Sequence, residues 1–350
     1  MIQDFLRSMH LRKGSDLHLV AGDPPRMRVH GELITLANQK LDGEELQAGL
    51  FGIMSPVAID QFNKRDSADF AYFIPEIARF RVNVFRHLNG IGAVFRGIPS
   101  KALTLEELKM PKAVHTLSHA NQGLILVTGK TGSGKSTTLA AVVDAINNRV
   151  QGHILTIEDP IEFVHTRKSC LMSQREVGVH SPTFAAALHS ALREDPDAIL
   201  VGELRDLETM SIAMTAAEMG VLVMGTLHTN GAAPTIDRVV NIFPADKQDH
   251  VRNMLSTSLR GIVSQQLLRT KDGLGRVAAL EVLINTSAVA NLIRQGKLDQ
   301  IESVIQSSGS EGMFTMDSSI KRLLDEGRIT GEEAYLNAFD KSKFEHLKDQ

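Results

Sequence analysis

Leu124-Ile-Leu-Val127 followed by Gly129-Lys-Thr-Gly-Ser-Gly-Lys-Ser136 is the stretch on which the fold turns. The second string fits G-x-x-x-x-G-K-[ST] at every defined position. A buried-strand pattern precedes it, and Leu139, Val142, Val143 and Ile146 behind it repeat at helical spacing. Glycines let the backbone turn tightly and lay its N–H groups on phosphate oxygens, with the following helix N-terminus adding positive potential. Lys135 reaches the terminal phosphates, and the Ser136 hydroxyl is suited to Mg²⁺. Gly129, Thr131, Gly132, Ser133, Gly134, Lys135, Ser136 and Thr137 are therefore the candidate nucleoside triphosphate-binding residues, ATP being the expected ligand.

Beyond the loop, Ala198-Ile-Leu-Val201 and Val221-Leu-Val-Met224 are short continuous apolar runs that alternate with helical stretches. That alternation predicts an α/β fold with a parallel sheet covered on both faces. A helix is predicted through Phe184, Leu188, Ala191 and Leu192, with Ser181 as its cap and Pro182 in its first turn. Three polar clusters follow predicted strands, where an open α/β sheet places its ligands. Glu158 and Asp159 follow a strand near 153–157, Glu203 follows Val201-Gly202, and His228 follows the strand near 221–226. Glu203 at a strand tip suits a carboxylate that orients water or holds hydrated Mg²⁺. Glu158, Asp159 and Ser136 are candidates for Mg²⁺, and His228 for sensing a γ-phosphate. Singly, such carboxylates are more often helix caps and such a histidine is more often structural. Their placement after the phosphate loop favours the functional reading, most of all for Glu203.

The chain before the loop has a different character. A helix is predicted over 2–12, strands at 16–19 and 26–30, helices near 42–51 and 55–64, and a hairpin of 79–84 with 91–96 about Asn89-Gly90. In the hairpin Phe80, Val82 and Val84 share one face, while Arg81 and Arg96 oppose it. A guanidinium there could neutralise charge on a transferred phosphoryl group, or simply belong to a solvated strand face. Whether these arginines act within one chain or across a subunit boundary is left open by the sequence. Pro99 and Pro111 bracket a connector, which divides the chain into an α+β domain (1–98), a linker (99–111), an α/β domain (112–284) and a small helical C-terminal region (285–350).

The 350 residues fit two to three domains. Lys plus Arg number 38 against 41 Asp plus Glu, a formal charge of −3, and 43% of residues are hydrophobic. Such a chain can build cores, and its charge argues against nucleic acid as a partner. No Trp and only two Tyr leave little to stack on bases. The single Cys170 rules out an intrachain disulfide and a cysteine-ligated zinc. There is no apolar run of about 20 residues and no secretory leader, which predicts a cytoplasmic chain without direct membrane insertion. No H-E-x-x-H, G-x-S-x-G or C-x-x-C motif supports a protease, esterase or redox reading.

The ensemble of strings resembles the secretion-ATPase superfamily of RecA-like motors, and within it the type IV pilus retraction ATPases. The resemblance runs from Gly14-Ser-Asp-Leu-His-Leu19 through Ala78-Arg-Phe-Arg-Val-Asn83, Val94-Phe-Arg-Gly-Ile-Pro-Ser100, the phosphate loop and Ile154-Leu-Thr-Ile-Glu-Asp-Pro-Ile-Glu-Phe163. It continues through Ser190-Ala-Leu-Arg-Glu-Asp-Pro-Asp197, the segment ending at Glu203, and Thr226-Leu-His-Thr-Asn230. It implies a homohexamer whose subunits pair a PAS-like N-terminal domain with a RecA-like motor domain. It also implies ATP between those domains, Arg81 and Arg96 toward the γ-phosphate, Glu203 as catalytic glutamate, and Glu158, Asp159 and His228 in support. An inner-membrane pilus platform protein is the implied partner, placing the ring peripherally at the pilus base; a paralogous pilus ATPase is a further one. Ala288-Val-Ala-Asn-Leu-Ile-Arg-Gln295 departs from the family's A-I-R-N-L-I-R-E signature at Ala290 and Gln295, and His180 stands where relatives often have Asp. The alternatives are an accessory retraction paralogue, an extension or type II secretion ATPase, a nucleotide-binding scaffold without turnover, and a nucleic-acid translocase.

Overall fold

The computed structural model describes residues 1–29, 31–75, 77–98 and 102–348. The chain divides into two compact units, Met1–Lys101 with Glu162–Val164, and Ala102–Ile161 with His165–Gln350. His30 of the predicted 26–30 strand, and Pro99, Ser100 and Lys101 of the predicted connector, lie outside the described residues.

In the first unit the chain runs α1 (Ile2–Leu11), β1 (Asp16–Val20), β2 (Arg26–Val29), β3 (Glu32–Thr35), α2 (Gly43–Phe51), α3 (Pro56–Arg65), β4 (Ser67–Ile74), β5 (Ala78–His87) and β6 (Gly90–Ile98). The strands form one antiparallel sheet in the order β3-β2-β1-β6-β5-β4. Asp42 caps α2 by accepting from Glu44 and Glu45 N–H, and Ser55 caps α3 just before Pro56 at its first position. Alternation sorts the strands: Leu17, Leu19, Phe80, Val82, Val84 and Phe95 are fully buried. They pack with Ile2, Leu6, Met9, Leu46, Leu50 and Phe62 from the three helices, each large side chain contributing about 1.5–3 kcal/mol. The sequence pattern announces neither β3 nor β4. β3 has every residue exposed, so it lacks the in–out contrast on which a strand is recognised.

The second unit runs α4 (Lys112–Leu117), β7 (Gly123–Thr128), α5 (Lys135–Arg149), β8 (His153–Glu158), β9 (Leu171–Glu176), α6 (Phe184–Ala191), β10 (Ala198–Val201), α7 (Leu207–Glu218), β11 (Leu222–Leu227), α8 (Ala232–Asn241), α9 (Gln248–Ser258), β12 (Leu259–Arg269) and β13 (Arg276–Ile284). Helices α10 (Ser287–Gln295), α11 (Ile301–Ser307), α12 (Met316–Asp325) and α13 (Gly331–Asn337) complete it. Its sheet has the order β13-β12-β7-β11-β10-β8-β9, parallel throughout except for the edge strand β13. Leu124, Leu126, Ile199 and Val201 face a core shared with α6 to α9, whereas Ile125, Val127, Ala198 and Leu200 face one shared with α4 and α5. Both faces are covered, as the continuous apolar runs predict, and the α/β expectation holds.

One expectation about a cap fails. Thr183, not Ser181, caps α6, its hydroxyl accepting from Ala186 N–H at 3.1 Å. Ser181 is drawn instead into a β-bridge with Val177, and Pro182 lies before the helix rather than in its first turn. The hairpin β12–β13 is a further element without a clear sequence signal; its Ile262-Val-Ser-Gln-Gln-Leu-Leu268 run mixes buried polar residues into an apolar strand and blurs the pattern. The C-terminal helices join the sheet's cores: Val289 and Ile293 of α10 pack with α9, and Met316, Ile320 and Leu323 of α12 pack with Leu268, Val277 and Ala279. Ala290 is itself buried on α10, while Gln295 is exposed and donates to Asn291 Oδ1. Among the described residues no helix is long and apolar enough to cross a membrane.

Candidate functional site

Four neighbouring parallel strands, in the order β7-β11-β10-β8, bring their carboxyl ends to one edge of the sheet. From β7 comes the phosphate loop, from β11 His228, from β10 Glu203, and β8 ends at Glu158 itself. Backbone bonds tie these ends in series: Gly129 N–H donates to Leu227 O, Leu204 N–H to Thr226 O, and Gly202 N–H to Ile157 O. The Thr226 hydroxyl adds a 2.5 Å bond to Gly202 O.

The loop is built around two glycines at positive φ, where a side chain would be strained. Gly129 has φ +141°, and a Cβ there would strike the Gln265 carbonyl and the Ser133 hydroxyl. Gly134, the N-cap residue of α5, has φ +88°, and its Cβ would sit 2.7 Å from Gln265 Nε2. Lys135 is buried, its ammonium donating to Gly129 O at 2.8 Å and Lys130 O at 3.2 Å. Thr131 and Gly132 are exposed at the loop's tip, while Ser136 and Thr137 are half-buried in the first turn of α5. Thr128 Oγ1 and Ser133 Oγ are buried without a hydrogen-bond partner among the described residues. Orphaned hydroxyls beside a glycine-lined helix N-terminus fit a phosphate-bearing ligand, since buried polar groups otherwise find partners.

Glu203 and His228 are brought together: His228 Nε2 lies 3.3 Å from Glu203 Oε1, and Arg205 Nη1 lies 4.0 Å from Glu203 Oε2. Glu203 retains 32% side-chain exposure, so its carboxylate is both oriented and reachable by water. Glu158 is buried, accepting from the Thr156 hydroxyl at 2.7 Å and from Gln174 Nε2 at 3.4 Å. Asp159 beside it is exposed. β8 is three strand spacings, about 14 Å, from β7, which sets the lateral span of the edge. Asp206, of the Glu203-Leu-Arg-Asp206 cluster, is a helix cap, its carboxylate accepting from Thr209 N–H at 2.9 Å. Among the described residues no three His, Cys, Asp or Glu side chains form a preformed metal site.

The first unit carries its own constellation. Arg81 and Arg96 are cross-strand partners on β5 and β6, exposed on the face opposite the core. Asp16 on β1 pairs across the strands with both Arg28 and Arg96, and Arg96 Nε donates to its Oδ1 at 2.8 Å. Burial pushes the Asp16 carboxyl upward, but the Ser15 hydroxyl and the Arg96 guanidinium outweigh it and hold the group below the usual value. Burial lowers the His18 imidazole, against the pull of Asp16.

Reasoning from sequence does not find Gln265, Thr128 or Thr226. A glutamine inside an otherwise apolar run is the available signal for the first.

Known proteins show the same chain organisation. Residues 1–334 match the family described as Type II/IV secretion system protein. The type IV pilus retraction ATPase PilT of Pseudomonas aeruginosa is 53% identical over 329 residues, 94% of each chain. The type IV pilus ATPase PilU of that organism is 40% identical over 336 residues, covering 96% of this chain and 88% of its own. A crystal structure of the pilus retraction motor PilT with bound ADP superposes with a TM-score of 0.92 at 43% identity, covering 99% of both chains.

Proposed function

This chain belongs to the Type II/IV secretion system protein family, and from that premise we propose that it is an ATP-hydrolysing motor of type IV pilus retraction. The observation that carries the reading is the juxtaposition, along one tied sheet edge, of a glycine cradle with orphaned hydroxyls and the Glu203–His228 pair. Near full-length likeness to PilT, at higher identity than to PilU, favours the retraction motor over its accessory paralogue.

In this reading the backbone N–H groups of 129–137 grip the triphosphate, and Lys135 moves from its own loop carbonyls onto the β- and γ-phosphates. Glu203 orients the attacking water and accepts its proton, while His228 holds the carboxylate in place. Arg81 and Arg96 neutralise charge on the transferred phosphoryl group. The Ser136 hydroxyl would hold Mg²⁺ directly, with Glu158 and Asp159 holding it through its waters, because this ion keeps several of them. When bound, Mg²⁺ supplies charge neutralisation at the phosphoryl oxygens. The working assembly is a cytoplasmic homohexamer that acts on an inner-membrane pilus platform, and a paralogous pilus ATPase is a further partner.

Glu203→Gln tests the core of this. The variant should bind Mg²⁺-ADP as the parent does and release phosphate about 10²–10³-fold more slowly; undiminished hydrolysis removes Glu203 from its role. A parent protein that binds nucleotide without Mg²⁺-dependent turnover would instead be a scaffold. Deleting the gene separates the motor classes: long static pili mark a retraction motor, bald cells an extension motor.

A further inference from the structure

We infer that Gln265, on β12, is a positioning residue that sets the peptide planes of the phosphate loop and thereby its nucleotide affinity. The inference rests on the loop being a nucleotide site, as proposed above.

Gln265 is 2% exposed, and each end of its amide makes a hydrogen bond, one to the loop and one to the helix that follows it. Its Nε2 donates to Ser133 O at 2.7 Å, and its Oε1 accepts from the Thr138 hydroxyl at 2.7 Å. A carbonyl only accepts, so the orientation of the amide is fixed by chemistry. The same residue meets the loop at its other end, where its backbone carbonyl occupies the space a Cβ on Gly129 would need. One strand residue thus contacts Gly129, Ser133, Gly134 and Thr138, spanning the whole turn.

The consequence follows from peptide geometry. In a trans peptide the C=O and the next N–H point in opposite directions. A Ser133 carbonyl drawn toward β12 therefore turns the Gly134 N–H away from β12, where the proposed phosphate would meet it. Without the Gln265 donor, the Ser133–Gly134 plane is free to turn, and the positive φ of Gly134 makes that rotation inexpensive. A phosphate would then have to order the loop on arrival, which weakens binding without touching the group that cuts the bond.

The experiment compares wild type, Gln265→Ala and Gln265→Glu as full-length protein. It follows a fluorescent ADP analogue with Mg²⁺ between about pH 5.5 and 8, alongside Tm and turnover at saturating ATP. In the Gln265→Glu variant, a deprotonated carboxylate keeps the Thr138 bond but faces Ser133 O without a hydrogen; a protonated one restores both bonds. Burial and the facing Ser133 carbonyl raise that carboxyl toward the tested range, against the pull of Lys130 and Lys135, the charged groups of the same loop. Gln265→Ala removes both amide bonds and should weaken binding about tenfold at every pH, the size of the bond to Ser133 O that sets the loop. Gln265→Glu should match it at pH 8 and recover toward wild type as pH falls, with kcat at saturation within about twofold in both. Wild-type affinity in both variants, or a Gln265→Glu protein that stays weak across the range while folded, overturns the inference. If wild type itself fails to bind the analogue, the nucleotide reading falls instead. Should Gln265→Ala not fold, Thr138→Val, which frees the amide to turn, gives the same comparison and should weaken binding by a smaller factor.

Discussion

In the centre of the seven-stranded sheet, Leu124 and Leu126 point to one helical layer and Ile125 and Val127 to the other, so the face of β7 is not free for chemistry. In the six-stranded sheet, Phe80 and Val82 point to helices while Arg81, on the same strand, stands on an open face. The central strands of the first sheet can present functional groups only where they stop, and they do so at Thr128, Glu158, Val201 and Leu227. The second can present them along a strand's length, and it sets Arg28, Asp16, Arg96 and Arg81 in a row across four strands. Coverage by helices thus decides whether chemistry sits on the rim or on the face.

The strongest test of that contrast removes the face while leaving the rim. Replacing Arg81 and Arg96 together by Ala should lower kcat about 10³-fold with ADP affinity little changed, and should lower Tm by some degrees, because the buried Asp16 carboxylate loses its ion pair. Phosphate-release assays beside ADP binding check it, and a nearly normal rate would return these arginines to a solvated strand face. On the rim, His228→Ala should lower kcat about 10²-fold by releasing the Glu203 carboxylate it faces at 3.3 Å, again with ADP binding retained. Equal loss of binding and turnover would make the histidine a ligand contact rather than a support.

A smaller effect distinguishes the two units by proton linkage. Asp16 has its folded value lowered, so its contribution is present above the unfolded value and lost as pH falls through the folded one. Asp16→Asn should cost about 1 kcal/mol at pH 7, discounted because Arg96 is largely exposed, and should flatten the acid limb of stability. Glu281, which accepts from Ala232 and Met316 N–H at the starts of α8 and α12, has the opposite shift. Burial raises it against those two bonds, with Glu302 and Asp317 adding repulsion. Its contribution is therefore full below the unfolded value and lost as pH rises through the folded one, and Glu281→Gln should remove that slope. Chemical denaturation from about pH 2 to 8 reads both, the Asp16 limb below about pH 4 and the Glu281 limb above it, and parallel slopes in wild type and variants refute the assignment.

The phosphate loop, its flanking strand and helix, and the residues at each strand tip are legible because local pattern carries them: a spaced motif, an apolar run, a polar residue after it. The Arg81–Arg96 face is legible through strand alternation about Asn89-Gly90. What stays hidden depends on partners far along the chain. Gln265 acquires its meaning only by meeting Ser133 and Thr138, 132 and 127 positions earlier. The strand order that seats β11 between β7 and β10 has no local signature, and it is what places His228 against Glu203. Thr183 displaces Ser181 as a cap because a bridge to Val177, not propensity, settles where the helix begins.

The backbone bonds linking Gly129 to Leu227, Leu204 to Thr226 and Gly202 to Ile157 make a stitched hem of the edge that carries the candidate site. No tip can shift alone: a tug at the first stitch is felt at the last, roughly three strands away. The loop after β7 and the acidic loop after β8 are thus joined through main chain alone, with no side chain among these stitches.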